Sequence, residues 1–199
     1  MGILIMHFLH GYIPKYKSRE TTERIRGGLL GGHIFFQVEG NIYGFEPQRD
    51  DDFHIFPRRK AEKFNSRYKK EVLSEWQERM QGKLLSSFKI PMKDTDYALV
   101  KTKLQNYSEQ APYDYAFFGM RCASSAHNLL ADTSLFAPSG KLKSILSYPY
   151  PRRLRKKLLK KALRENWKVS KSEGSGEMIW ETDGSMHFSK ALKAFIPAR

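Results

Sequence analysis

The stretch GGHIFFQVEGNIYGFEP, residues 31–47, constrains the fold more than any other part of the chain. His33 to Val38 and Ile42 to Phe45 are rich in β-branched and aromatic residues, and Glu39-Gly40-Asn41 between them is a turn-forming cluster. Two such runs around a short polar turn predict a β-hairpin. A hairpin needs further strands or a helix before its apolar face is buried, so the question becomes what the other residues can supply.

MGILIMHFLHGY at the N-terminus reads as a first buried strand. Its apolar run lacks a basic flank and a small-residue cleavage site, and His7 interrupts it well short of a membrane span. With no targeting signal in view, a cytoplasmic location is the default expectation. Helices are predicted over Glu20 to Arg26, over Lys60 to Gln81 with Phe64, Tyr68, Val72 and Trp76 at four-residue spacing, over Thr95 to Tyr107, and over Ala123 to Leu130. Arg49 to Asp52 is an acidic loop, and Ser134 to Pro151 is punctuated by proline and glycine. Trp167 to Ser170 and Glu177 to Glu181 flank a Gly/Ser turn and read as a second hairpin. Hairpins and helices in blocks, without regular βαβ units, predict an α+β fold: a central antiparallel sheet with helices packed on it. At 199 residues one domain is expected.

The chain has one cysteine, so neither an intrachain disulfide nor a multi-cysteine zinc site is available, and no metal or cofactor is expected. Cys122 stands where the aromatic run YDYAFFGMR gives way to a helix. A helix start offers unpaired N–H groups and a partial positive charge, which favour a thiolate and can donate to an oxyanion. The opposing reading is a small buried hydrophobe. A nucleophilic cysteine needs a base and a group that orients it. His7 and His10 lie on the first strand, His54 follows the acidic loop, His127 is in the cysteine's own helix and His187 is near the C-terminus. His33 opens a strand directly after two glycines, where close approach is sterically easy. If Gly40-Asn41 is a two-residue turn, Glu39 pairs with Ile42 and Phe35 falls opposite Glu46. Glu46 then shares a face with His33, one diagonal step away.

These residues carry a resemblance. GGHIFFQVEGNIYGFEP followed later by YDYAFFGMRCASSAHNLL resembles the circularly permuted branch of the papain-like, NlpC-type cysteine amidase and peptidase superfamily, in which the histidine strand precedes the cysteine helix. The likeness covers a core of about residues 28–131. A C-terminal extension with a basic helix and hairpin follows over about 149–199. The resemblance implies Cys122 as nucleophile, His33 as general base, Glu46 as the orienting residue, and Tyr113 and Tyr115 lining the substrate cleft. It implies hydrolysis of an amide or peptide bond through a thioester, with cell-wall peptides a common substrate class. Relatives of the lecithin retinol acyltransferase type would instead transfer or hydrolyse acyl groups. Arg121 stands where family members often have asparagine.

The net charge is +14. Much of the excess lies in Arg152 to Arg164, where Leu154, Leu158, Leu159 and Ala162 recur at helical spacing with basic residues between them. This predicts an amphipathic helix with a solvated basic face, and its partner would be an anionic polymer or membrane surface. No nucleic-acid-binding signature accompanies it. A non-catalytic protein that binds an anionic polymer is the reading that leaves Cys122 merely packed.

Overall fold

The computed structural model describes residues 1–15, 31–49, 54–58 and 63–182. Strands β1 (Gly2–Leu9), β3 (His33–Val38), β4 (Asn41–Pro47), β5 (Ser66–Val72), β6 (Leu85–Met92) and β7 (Lys168–Lys171) form one six-stranded sheet in the order β5-β4-β3-β1-β6-β7. Every neighbouring pair is antiparallel. The short β2 (Tyr12–Pro14) and β8 (Met178–Trp180) pair separately. The fold is α+β, as the blocks of hairpin and helix predict.

Alternation along the strands sorts the core. Leu4, Met6, Phe8, Ile34, Phe36, Val38, Phe88 and Ile90 join one large cluster beneath the helices α2 (Asp94–Glu109), α3 (Cys122–Leu130) and α5 (Pro151–Glu165). The intervening positions turn to the other face. There Phe35, Ile42 and Leu85 pack with Trp76 and Met80, which the short helix α1 (Leu73–Arg79) and its C-terminal end bring over the sheet. On that second face His7 bridges Ser87 Oγ at 2.7 Å and Gln37 Oε1 at 2.9 Å, so a polar ladder crosses three strands under the Trp76 ring.

The hairpin turn differs by one position from the sequence reading. Val38 pairs with Asn41, and Phe35 pairs with Gly44. The two turn residues are therefore Glu39 and Gly40, with φ of 48° and 74°. Positive φ at both positions is the type I′ geometry that matches strand twist, and Gly40 adopts it without steric cost.

Lys60 to Gln81 is not one helix. Residues 66–72 are strand β5 and only 73–79 are helical. The four-residue spacing of Phe64, Tyr68, Val72 and Trp76 coincides with a strand whose alternate residues Ser66 and Tyr68 are buried while Val72 is exposed. Seven residues in register with β4 outweigh the local helical pattern. The C-terminal hairpin is also corrected: β7 pairs with β6 and β8 with β2, so the two runs never meet. Strand β6 and helix α4 (Lys141–Ser147) were not read from the sequence. The helix expected at Glu20 to Arg26, most of the acidic loop and His187 lie outside the described residues.

The C-terminal segment is tied into the body by buried charge. Arg155 of α5 and Glu181 are each 1% exposed and lie 3.3 Å apart. Glu181 also exchanges backbone hydrogen bonds with the β1–β2 link: its N–H donates to the Gly11 carbonyl at 2.7 Å, and its carboxylate accepts from the Gly11 N–H at 3.3 Å. Removing one partner strands a buried charge. Glu181→Ala is expected to cost about 3–5 kcal/mol in urea unfolding. Lys161→Ala, which breaks the half-buried i,i+4 pair of Lys161 with Glu165, should cost under about 1 kcal/mol in the same measurement.

Candidate functional site

Cys122 is the first residue of α3, and Arg121 is its N-cap. At this helix start Ser124 Oγ accepts a 2.8 Å hydrogen bond from the Arg121 N–H and lies 3.2 Å from the Arg121 carbonyl, so the third helical residue reaches back to the N-cap backbone. The sulfur sits deep, beside backbone N–H groups of Cys122, Ala123 and Ile34. Ile34 belongs to β3 and follows His33, so the helix start docks at the histidine end of that strand. One turn further along α3, Ser125 Oγ meets the hydroxyls of Tyr68 at 2.6 Å and Tyr113 at 2.8 Å, a buried polar trio within the core.

Burial dominates the thiol. It pushes the Cys122 pKa up to about 11, against the opposing pull of Arg121 and of the three N–H groups. A helix start favours the thiolate, as the sequence reading had it, but enclosure reverses the balance and the resting group is a thiol.

The His33 ring lies elsewhere. It packs 4.7 Å from the Phe35 ring, on the sheet face that α3 does not cover. A Cβ at Gly44 would sit 3.1 Å from His33 Nε2 and 3.0 Å from a Phe35 ring carbon, so a side chain here would require both rings to shift by a few tenths of an ångström. Continuing the observed register past Phe35 and Gly44 places His33 directly across from Glu46, one step closer than the sequence reading had it. The Glu46 carboxylate is 3.9 Å from Lys69, and burial raises its pKa although Lys69 and Arg67 oppose the shift. Among the described residues no hydrogen bond joins Cys122 to His33 or His33 to Glu46. The register puts His33 and Glu46 side by side at one end of β3 and β4, while the Cys122 sulfur meets the Ile34 backbone from the other face of the sheet.

The two tyrosines are largely packed, and Tyr113 also borders a half-open cavity of about 260 Å³ with Pro57, Arg58 and Ile145. Tyr113 is buried, and Tyr115 stacks on Phe45 at 5.3 Å. They are held in place by Asp114, which lies between them. Its carboxylate accepts from Arg58 at 2.9 and 3.0 Å and from the Asn65 N–H at 3.0 Å. Burial works against that carboxylate, yet these donors bring its pKa down to about 2. The same tie fixes residues 54–58 against residues 116–118 and leaves Ile55, Phe56, Phe117 and Phe118 as an exposed apolar patch. Arg121 extends over the Phe117 ring at 5.0 Å, which joins this patch to the cysteine loop.

His127, on the cysteine's own helix, was passed over in the sequence. It is buried between Tyr148 at 4.2 Å and Phe136 at 5.0 Å, with Nδ1 on Ser144 Oγ at 2.9 Å. Burial, then Lys143 and Lys157, push its pKa down to about 4, so it is neutral near pH 7. Comparison with protein-family models, curated proteins and solved structures finds no match to the chain.

A pKa of about 11 against an ordinary 9.0 lowers the thiolate fraction at neutral pH about a hundredfold. Iodoacetamide alkylation of the native protein should be slower than that of the urea-unfolded chain by at least this factor. Its rate should climb with pH up to about 11. Because the folded pKa lies above the unfolded one, the thiol's contribution to stability is full below pH 9.0 and is lost as pH rises through about 11. Fast alkylation at pH 6 by mass spectrometry would contradict this enclosure.

Proposed function

We propose that the chain is a cysteine hydrolase of amide or peptide bonds, acting through a thioester on Cys122. What supports this reading is the docking of the cysteine helix by its first residue against the strand that begins with His33, with Glu46 opposite in register. In the proposed reaction the Cys122 proton passes to His33, and sulfur attacks the substrate carbonyl carbon. The imidazolium then protonates the departing amine as the C–N bond breaks. Water, deprotonated by His33, cleaves the thioester to release the acid and restore the thiol. N–H groups at the start of α3 stabilise the oxyanion, and Glu46 holds the imidazole tautomer. His33 and the sulfur lie on opposite faces of the sheet, so this reaction requires His33, the first residue of β3, to leave its pairing with Leu9 when substrate binds.

A second reading rests on the exposed Ile55, Phe56, Phe117 and Phe118 beside Arg121. An apolar patch next to the nucleophile suits an acyl chain, and the same cysteine would then hydrolyse or transfer a fatty acyl group. Basic residues of α5 would favour an anionic lipid surface. Among the described residues no helix is long and apolar enough to cross a membrane.

Incubation with peptide amides and with short- and long-chain acyl thioesters, followed by intact-protein mass spectrometry, tests both readings. An acyl adduct on Cys122 is expected in the parent protein and absent in Cys122→Ala. His33→Ala should slow its formation by about 10²- to 10⁴-fold, and Glu46→Gln should cause a smaller loss. Preference for long-chain thioesters would select the second reading. Absence of any adduct would return Cys122 to a packing role and favour a non-catalytic protein that binds an anionic polymer.

A further inference from the structure

Helix α5 carries Lys157, Lys160, Lys161 and Arg164 at spacings of three, four and seven residues, which puts them on one stripe. Together with Lys143 of α4 they line a half-open cavity of about 460 Å³. Leu135, Phe136, Ala137 and Tyr148 give it an apolar and aromatic side. No aspartate or glutamate is among its lining residues. Glu165 offsets one end, at 2.9 Å from Lys161 and 3.2 Å from Arg164. Among the described residues no carboxylate pairs with Lys143, Lys157 or Lys160. Ser139 Oγ, also in the lining, is buried without a hydrogen-bond partner among the described residues.

Like charges at these spacings repel, and the fold holds them together around a concave space instead of spreading them over a convex surface. A polymer-binding face would be an extended groove or a flat patch, whereas a volume of this size suits a small molecule. Five cations converging on it call for a ligand with at least two negative charges in a compact group. Lysine ammonium groups satisfy phosphate as point charges without a fixed approach angle.

We propose that this cavity binds a diphosphate or bisphosphate group, held by Lys143, Lys157 and Lys160, with the rest of the ligand lying against Phe136 and Tyr148. The group belongs either to a soluble metabolite or to a lipid headgroup. This inference stands apart from Cys122, which does not line the cavity.

The test uses the full chain and inorganic pyrophosphate in isothermal titration at low and high salt. A parallel arm uses sedimentation with phosphatidylcholine vesicles with and without phosphatidylinositol bisphosphate. Two double variants remove equal charge. Lys157→Gln/Lys160→Gln empties the cavity of two cations, and Arg153→Gln/Lys156→Gln removes two from α5 residues outside its lining. The first should weaken pyrophosphate binding by at least about tenfold, the second by less than about twofold. Thermal unfolding of the cavity variant should be no lower than that of the parent, since repulsion is relieved. Vesicle binding lost only in the cavity variant, without pyrophosphate affinity, assigns the site to a headgroup. Equal losses in both variants, or no binding in either arm, would overturn the proposal.

Discussion

The pairing of β3 with β4 through a two-residue turn at Glu39 and Gly40 sets the parity of the whole sheet. Because side chains alternate, this register sends Ile34, Phe36 and Val38 into the core beneath α3 and leaves His33 and Phe35 on the face of Trp76. A slip of one residue would exchange the two sets. Lys101 donates to the Glu39 carboxylate at 2.7 Å, so the turn is also fastened to α2.

The chemistry of Cys122 follows from that parity. Ile34 brings its backbone to the sulfur, Tyr68 from β5 closes the space below, and the thiol is enclosed before any helix-end effect can act on it. Desolvating an anion here outweighs a partial dipole charge and three N–H donors. The histidine one residue away is directed to the opposite face, and the space that Gly44 leaves vacant is where its ring rests. A change of rotamer cannot cross the sheet, so the thiol and the imidazole are separated by the strand itself.

Much of the architecture was legible in the sequence, and what was missed has physical causes. The first strand, the hairpin, and helices α2, α3 and α5 have strong periodicity of their own. β5 was misread because Tyr68 and Trp76 lie eight residues apart, a spacing that helix and strand both permit. β7 and β8 were found as strands, but their partners lie far off in sequence, and no local signal chooses β6 and β2 over each other. At the site, the position of Cys122 at a helix start was readable. Its raised pKa was not, since that depends on how β3 and β5 enclose it. The cavity beside His127 stayed hidden because α4 was read as loop, and without α4 there was no Lys143 to face the α5 stripe.

The sheet has two outer strands, β5 and β7, and their composition bears on the crowding of this protein with copies of itself. An unpaired strand edge is a template onto which another chain can add. Lys69 and Lys70 on one border and Lys168 and Lys171 on the other are exposed, and each would have to be desolvated against a like charge if two copies aligned edge to edge. Part of the excess positive charge therefore opposes the edge-to-edge joining of two copies at these strands.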